Sequence, residues 1–548
     1  MKYSLKLKLG LISMGVLMAS AAMAAPPFSA KHISDDIKEI SSDAYEGRGI
    51  NTRAESKTIA YIEKQFKAAG LKPGGPKGQW TQDVHLRKFV VTDPHLSLTL
   101  GGQVRDLKEG TDITISSRGA LSAVNFKDTQ LVFVGYGITA PERGWDDFKG
   151  VDLKGKIMVV LINDADYYQP ELNTFNGKAM TYYGRWTYKF EEGARRGAAG
   201  VMIIHETGPA SYGWATVQSS NTRTKFDIVR PDPSKASPNL ESWISYDLAS
   251  QLFKASGLDL EALKVKARFK DFTPVTLGGA ALNGGFGMQT SEIISHNVIA
   301  IKKGKTHPDE TIAYSAHWDH LGIGQPDARG DKIFNGAVDN GSGIGALIEL
   351  GRGWAKAKTP DRSVIFIAFT AEESGLLGSE YYAANPVYPL NKMVMGINMD
   401  SLNVNGRTKN LEVTGYGQSS LDDELAMVAK TQNRYITPDE VPEAGHFYRS
   451  DHFPLVKRGV PMLDASSGFD MVNGGITRGK ALDEDYVTHR YHQQGDEWRS
   501  DWDYSGMIED ISLFYDIGAK FAYSHQWPHW KDGSEFKAER DKTEADRK

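Results

Sequence analysis

The 548-residue sequence contains no cysteine. This absence excludes disulfide bonds, a cysteine nucleophile and thiolate ligands for a metal ion. The chain also lacks an excess of charge of one sign, because 64 basic and 69 acidic residues are interspersed and leave a formal net charge of −5. That balance argues against a nucleic-acid surface and gives no reason to expect an anionic membrane as partner.

Long hydrophobic runs are lacking as well, apart from residues 9–22. That run is shorter than a bilayer requires, follows three lysines among the first eight residues, and leads into the cleavage-site pattern Ala22-Met23-Ala24. We therefore predict a signal peptide over residues 1–24 and an exported protein, periplasmic or secreted, that has no membrane contact after cleavage. The alternative is an uncleaved anchor helix. No cysteine follows the cleavage site, so a lipoprotein anchor is excluded.

The sequence does contain a series of short acidic and histidine motifs in its C-terminal half. In order they are His317-Trp318-Asp319-His320, Val338-Asp339-Asn340-Gly341, Ala371-Glu372-Glu373-Ser374, Asn398-Met399-Asp400 and Tyr491-His492. Imidazoles and carboxylates are ligands of zinc-like ions, and a pair of such ions can hydrolyse amide bonds. We predict a site for two ions, with the ligands His317, Asp339, Glu373, Asp400 and His492.

Charge supports this ligand set. Three of the ligands are anionic and two are neutral, so two divalent ions and a hydroxide bring the site close to neutrality, which lowers the cost of burying it. Asp339 is the predicted bridge, because the small residues after it let the backbone approach closely. Glu372 adjoins a ligand but is left free, which suits a general base. Asp319 lies two residues after His317 and can accept its second ring N–H, fixing the tautomer.

The apolar pattern predicts strands just before these motifs. Residues 311–315, 363–369 and 393–398 read as buried strands. Each of these runs is followed by a residue of the predicted metal site. The proposed ligands then lie past the carboxyl ends of strands, where open α/β sheets place their sites. We predict an α/β fold with a mixed, mostly parallel sheet sandwiched by helices.

These motifs together resemble those of the M28 metallopeptidases, which include bacterial zinc aminopeptidases and glutamate carboxypeptidase. The resemblance extends to Ser450-Asp451-His452-Phe453-Pro454 and to the Gly459-Val460-Pro461 that follows. It implies the zinc exopeptidase fold, two Zn²⁺ ions per chain, Asp339 as the bridge, Glu372 as the base and Tyr491 as a group that holds the oxyanion. The sequence departs from many relatives after His492, where Gln493 replaces a proline or threonine.

The resemblance also divides the chain into domains. Residues 25–125 are expected to pack on the peptidase domain, residues 126–275 to form an inserted, β-rich protease-associated (PA) domain, and residues 285–530 to form the catalytic domain. The glycines of residues 278–287 read as the linker between the last two. Residues 531–548 form a charged tail, which we predict to be frayed. The aromatic cluster of residues 182–188 either lines the substrate cleft or packs inside the PA domain.

Other interpretations remain open. His489 competes with His492 as a ligand, whereas His320, His446 and His452 are expected around the site rather than in it. We predict an exported aminopeptidase acting on peptides. The alternative is a carboxypeptidase or dipeptidase of the same fold, for which Arg449, Lys457 and Arg458 could face a substrate carboxylate. A binding protein without activity and a single-metal cyclase fit less well, because the ligand set is complete.

Overall fold

The computed structural model describes residues 26–547 except residues 120, 222–223, 231, 233–236 and 535. The predicted signal peptide therefore lies outside the described residues. Among the helices described, none combines the length and the apolar character that a bilayer crossing requires.

The strands and helices alternate along most of the chain. The strands are β1 Lys72–Pro73, β2 Thr81–Leu100, β3 Gln103–Asp106, β4 Ala123–Phe133, β5 Thr139–Ala140, β6 Trp145–Asp146, β7 Ile157–Leu161, β8 Gly200–Ile204, β9 Lys225–Ile228, β10 Glu241–Ile244, β11 Val275–Lys302, β12 His307–His317, β13 Gly322–Ile323, β14 Ile333–Phe334, β15 Arg362–Phe369, β16 Met393–Asn398, β17 Asn410–Val413, β18 Tyr435–Pro438 and β19 Met462–Ser467. The helices are α1 Ala30–Ile40, α2 Arg53–Ala69, α3 Trp186–Arg195, α4 Thr207–Ala210, α5 Trp214–Asn221, α6 Tyr246–Ala255, α7 Leu260–Lys266, α8 Gly343–Lys356, α9 Leu377–Ala384, α10 Leu421–Ala429, α11 Phe453–Val456, α12 Gly475–His489, α13 Ser505–Ala522 and α14 Lys537–Asp541.

Most strands belong to one sheet of order β10-β8-β7-β4-β11-β15-β12-β16-β19-β17-β18. The strands β15, β12, β16 and β19 run parallel to one another, and β10, β8, β7 and β4 form a second parallel group. The long strand β11 joins the two groups through antiparallel pairing with β4 and β15. The predicted α/β class with a mixed, mostly parallel sheet is confirmed.

The catalytic half of the sheet is apolar on both faces because helices cover both. Along β15, Val364, Phe366 and Ala368 join the core formed with α1, α2, α8 and α13. The intervening residues Ile365, Ile367 and Phe369 join a second core on the opposite face, with α9 and α11. A strand buried on both faces must be apolar at every position, which is the continuous run seen in the sequence.

The region predicted as a PA domain has hydrophobic cores of its own. Leu131 and Phe133 of β4 pack in one cluster, and Val132 packs in another on the opposite face of the sheet. Both clusters draw on the parallel strands of this half and on its helices. The PA assignment and all the domain boundaries stay predictions.

Two predictions about connecting segments were wrong. The glycines of residues 278–287 do not form a linker but lie inside β11, where β2 and β4 approach so closely that a Cβ on Gly284 would stand 2.0 Å from the His95 carbonyl oxygen. The C-terminal tail is not frayed over its described residues. Phe536 and Arg540 are buried, and the Arg540 guanidinium donates to the carbonyl oxygens of Leu390 and Met393.

Candidate metal centre

Three neighbouring parallel strands end at one edge of the sheet and deliver acidic and histidine side chains there. His317 is the last residue of β12, Glu372 and Glu373 follow β15, and Asp400 follows β16. Because β12 pairs in parallel with both β15 and β16, the carboxyl ends of the three strands are adjacent. The side chains therefore converge, as the strand pattern predicted.

The five predicted ligands form two groups that share one carboxylate. Asp339 Oδ1 lies 3.2 Å from His317 Nε2, and Asp339 Oδ2 lies 3.1 Å from His492 Nε2. Asp400 Oδ1 is 3.3 Å from His317 Nε2, and Glu373 Oε2 is 3.3 Å from His492 Nε2. Asp339 thus presents one oxygen to each group, which is the arrangement that a bridging ligand needs.

His320 enters the second group, although the sequence pointed only to a position around the site. Its Nδ1 lies 2.5 Å from Glu373 Oε1, and its side chain is fully buried. Together with Asp339 and Glu373 it offers donor atoms that lie within 4.8 Å of one another. The signal in the sequence was its place three residues after His317, in the same turn.

The turns that carry the candidate site contain backbone conformations that residues other than glycine rarely adopt. Ala371, Ser401 and His492 have φ angles of 53°, 53° and 56°. Such left-handed residues cost about 1–3 kcal/mol each and persist where the surrounding structure holds them. Each lies at or next to a predicted site residue, so the fold maintains these turns at the position where the ligands meet.

Asp319 supports His317 through a different atom from the one that the sequence suggested. The Nδ1 of His317 lies 3.1 Å from the backbone carbonyl oxygen of Asp319, whereas the carboxylate Oδ1 is 3.8 Å away. The chain turns directly after β12, which points this carbonyl at the ring. Because a carbonyl only accepts, Nδ1 carries the proton and Nε2 is left to bind a cation. The carboxylate instead accepts the backbone N–H of Glu372 at 3.1 Å.

Glu372 stands beside the first group without belonging to either. Its Oε2 is 3.9 Å from His317 Nε2, and its side chain faces the same cavity as the ligands. Burial raises the pKa of Glu372 well above its usual value, the charges of Asp400 and Glu373 raise it further, and His317 opposes the shift. A raised pKa makes the carboxylate a stronger base, and this suits a group that takes up and releases a proton.

A chain of hydrogen bonds fixes Asp400 from behind. Ser450 Oγ donates to Asp400 Oδ2 at 2.7 Å, and Asn398 Nδ2 donates to Ser450 Oγ at 2.8 Å. Ser315 Oγ in turn donates to Asn398 Oδ1 at 2.8 Å. Partners of this kind orient ligands and tune their basicity.

Arg48 is completely buried and contacts the segments next to two predicted ligands. Its guanidinium donates to the carbonyl oxygens of Trp318 at 2.8 Å, Asn335 at 2.6 Å and Gly336 at 2.7 Å. Burial lowers the pKa of Arg48 to about 10 against the charges of nearby carboxylates, chiefly Asp496. One cation from the N-terminal segment therefore joins the turn after His317 to the turn before Asp339.

Asp496 holds the bridging residue from the other side. Its carboxylate accepts the backbone N–H groups of Val338 and Asp339, at 2.9 Å and 3.0 Å. The sequence pattern did not indicate the supporting roles of Arg48 and Asp496, since neither belongs to a ligand-like motif.

Tyr491 packs directly on a ligand. Its ring stacks on that of His492, with centroids 4.0 Å apart and an angle of 27° between the planes. Burial raises the pKa of its hydroxyl far above the usual value, so the group stays protonated and able to donate. Its predicted contact with an oxyanion stays a prediction.

The charges of the centre depend on one another. Burial opposes the charged form of His317, but Asp400 and Glu372 together with hydrogen bonds raise its pKa well above the usual value. Burial likewise opposes the charge of Asp339, and its bonds to His317 and His492 keep its pKa well below the usual value. Protons on the two imidazoles thus balance the negative charge of the carboxylates, as bound metal cations could do instead. This behaviour is expected of metal ligands.

Both groups open on one cavity of about 2090 Å³. Four of the predicted ligands, Asp339, Glu373, Asp400 and His492, form part of its wall, and residues of the predicted PA domain form another part. From the aromatic cluster, Tyr182, Arg185 and Trp186 line the cavity, while Tyr188 packs in the core of that half. Part of the cluster thus lines this cavity and part packs in a core; that the cavity is the substrate cleft stays a prediction.

Comparison with known proteins agrees with this geometry. The family model "Peptidase family M28" matches residues 297–515. Aminopeptidase YwaD of Bacillus subtilis (strain 168) is 26% identical over 365 residues, which are 65% of this chain and 58% of that protein. A probable zinc metalloprotease of Pyrenophora teres f. teres (strain 0-1) is 38% identical over 86 residues, 16% of this chain and 18% of that protein. The matches thus span less than two thirds of either relative.

The fold has a solved counterpart. The aminopeptidase from Aneurinibacillus sp. strain AM-1 superposes with a TM-score of 0.51 at 19% sequence identity, covering 90% of this chain and 94% of that one. At this identity the likeness concerns the fold. The residues that the family model matches include every predicted ligand, the predicted base and Tyr491. The match to peptidase family M28 therefore covers the part of the chain that carries the candidate metal centre.

Proposed function

We propose that this chain is a zinc aminopeptidase that holds two Zn²⁺ ions and removes N-terminal residues from peptides. The observation that carries the proposal is the pair of ligand groups sharing Asp339 at the wall of a large cavity. The names of the relatives, an aminopeptidase and a probable zinc metalloprotease, support the same activity. The export predicted from residues 1–24 stays part of the proposal.

The donor set fits zinc. His317, Asp339 and Asp400 would hold one ion, and Asp339, Glu373 and His492 the other, with His320 beside the second. Buried polar atoms without a hydrogen-bond partner support this fit, namely both ring nitrogens of His320 and Oε1 of Glu373. Although His320 Nδ1 and Glu373 Oε1 lie 2.5 Å apart, they are not aligned as donor and acceptor. A cation satisfies such atoms.

The chain's own residues supply the proton transfers. When bound, zinc supplies Lewis acidity, which polarises a carbonyl oxygen and makes a water molecule more acidic. Glu372 takes a proton from the attacking water and delivers it to the leaving amine. The hydroxyl of Tyr491 donates to the oxygen that gains negative charge. The acidic groups around His317 and His492 favour a protonated α-amine at this end of the substrate.

We predict two zinc-class ions per chain in active protein, because two complete donor groups are present. Metal analysis of protein purified without chelator, calibrated by amino-acid analysis, measures the ratio. Removal of metal by a chelator should abolish activity, and Zn²⁺ should restore it. A reproducible content of one ion or none in fully active protein contradicts the two-ion arrangement.

We also predict that substrates need a free α-amine. An aminoacyl-coumarin should be cleaved, and its N-acetylated form should be cleaved at least about 100-fold more slowly, because the acidic groups lose the cation that they bind. The matched control is an N-methylated amine, which keeps the positive charge. Cleavage of acetylated peptides that requires a free carboxylate assigns the chain to the carboxypeptidases instead.

The three basic residues suggested for a carboxypeptidase or dipeptidase make different contacts in the structure. Arg458 pairs with Glu380 at 2.8 Å, and the Lys457 ammonium lies 5.2 Å from the centre of the Tyr182 ring. Arg449 lines the cavity and donates to Ser211 Oγ at 3.0 Å. Lys457 and Arg449 both line the cavity, and neither forms an ion pair with a carboxylate among the described residues.

A further inference from the structure

Arg185, from the predicted PA domain, is buried without a counter-charge. Its exposed fraction is 7%, and it lies on the wall of the cavity that holds the metal centre. Its Nε has no hydrogen-bond partner, and among the described residues its guanidinium forms no ion pair. A buried charge without a partner is strongly disfavoured, so a site of this kind points to an anion that binds there.

The surroundings of Arg185 concentrate positive charge. Burial lowers the pKa of Arg185 to about 10, the charge of Arg449 lowers it further, and the hydroxyls of Tyr212, Tyr182 and Tyr491 oppose the shift. Arg449 lies over the Tyr212 ring at 5.2 Å and likewise forms no ion pair with a described residue. Two guanidinium groups with phenol hydroxyls around them provide many donors and no anionic acceptor, which is the composition of a carboxylate site.

The other arginines of the cavity differ in this respect. Each has an acidic partner close by: Arg118 with Glu241 at 2.7 Å, Arg195 with Glu192 at 2.7 Å, Arg230 with Asp227 at 3.2 Å and Arg490 with Asp485 at 2.6 Å. The fold therefore neutralises cavity arginines as a rule. Arg185 and Arg449 are the exceptions among the described cavity arginines.

Tyr491 connects these two arginines with the metal centre. Its ring stacks on that of His492. Beside the effect of burial, the charge of Arg449 lowers the pKa of its hydroxyl, and the charges of Asp339 and Glu373 raise it. Tyr491 therefore lies near both the arginine pair and the predicted ligands. The cavity is acidic at the ligands and basic at the arginines, which matches a short peptide with an amine at one end and a carboxylate at the other.

Resting on the proposed aminopeptidase activity, we propose that Arg185 and Arg449 bind a substrate carboxylate, namely the C-terminal carboxylate of a short peptide. The two ends of the substrate are then held at once, with the amine at the acidic groups and the carboxylate at the arginine pair. Short peptides with a free C-terminus are the preferred substrates, and the predicted PA domain contributes to their selection through Arg185.

The test compares Arg185→Gln with the unmodified protein on di- and tripeptides, their C-terminal amides and an aminoacyl-coumarin. The unmodified protein should prefer the free acids to the amides. Arg185→Gln should lower kcat/KM on the free acids by about 10- to 100-fold, the worth of a charge-assisted hydrogen-bonded pair, and leave the amides and the coumarin unchanged. A second variant, Arg449→Gln, should act in the same direction.

The control is Arg195→Gln, a cavity arginine that has its own acidic partner and should leave the acid preference intact. Thermal unfolding adds a second readout, because removing an unpaired buried charge should not lower the midpoint, whereas a structural role for Arg185 predicts a clear loss. Equal activity of the unmodified protein on acids and amides overturns the proposal, even if Arg185→Gln does not fold.

The same panel identifies the source of the carboxylate. Amidated peptides with Glu or Gln as the second residue separate a side-chain carboxylate from a C-terminal one, and an Arg185-dependent preference for Glu confined to these amides overturns the C-terminal assignment. The proposed activity is judged separately. If the unmodified protein does not cleave the coumarin or any free-amine peptide, the aminopeptidase function fails; if it cleaves them without preference for acids, only the carboxylate site fails.

Discussion

Replacing Glu372 by glutamine is expected to remove nearly all turnover while the metal content stays at its original value. Glu372 belongs to neither ligand group, and its Oε2 stands 3.9 Å from the Nε2 of His317. A glutamine keeps the size of the side chain but can neither take a proton from water nor give one to the leaving amine. Loss of a general base costs about 10²–10⁴-fold in kcat, and more if the same group also acts as the acid.

The measurement pairs kcat on an aminoacyl-coumarin with metal analysis of the same sample. Glu380→Gln is the matched control, because Glu380 lines the same cavity and pairs with Arg458 instead of approaching the centre. Near-native kcat in Glu372→Gln means that another residue is the base. Loss of metal from this variant means that Glu372 is a ligand, and the roles of Glu372 and Glu373 must then be exchanged.

Asp339→Asn is expected to act on the metal itself. Asp339 gives one carboxylate oxygen to each group, so an amide, with one neutral oxygen, can bridge two cations only poorly. The variant should lose at least one ion per chain after dialysis, and activity should fall by about 10²-fold or more as the metal is lost. Titration with Zn²⁺, followed by metal content and by the unfolding midpoint, measures the change in affinity.

The control for this variant is Asp483→Asn, which removes a carboxylate of the cavity wall that belongs to neither group. It should keep two ions and its activity. Full metal occupancy and normal turnover in Asp339→Asn show that the two groups do not share a bridge. The site must in that case bind its ions independently.

The clustering of the proposed ligands could be predicted from the sequence because its signals are local. His317, Glu373 and Asp400 each follow an apolar run, and the parallel pairing of these runs brings their ends together. The apolar run of β15 likewise indicates that its residues alternate between two cores. Such patterns depend on neighbours in the chain, so they survive without knowledge of the tertiary structure.

The supporting residues could not be predicted, because their roles arise from contacts across long stretches of chain. Arg48 contacts carbonyl groups near residue 318 and residue 336, and Asp496 binds N–H groups of residues 338 and 339. Arg185 reads as a helix-start residue until the cavity is seen around it. The prediction of a frayed C-terminal tail failed for the same reason. It rested on the high charge of the tail, whereas Phe536 packs against residues that lie elsewhere in the chain.

The position of Arg48 has a consequence for when the centre can form during synthesis. This residue contacts the segments next to two predicted ligands, yet the ligand His492 follows it by 444 positions along the chain (492 − 48). Contacts between such distant residues make folding slow, because the loop between them must close before the contacts contribute. A ribosome-bound chain therefore carries no assembled peptidase centre until almost the whole catalytic domain has emerged.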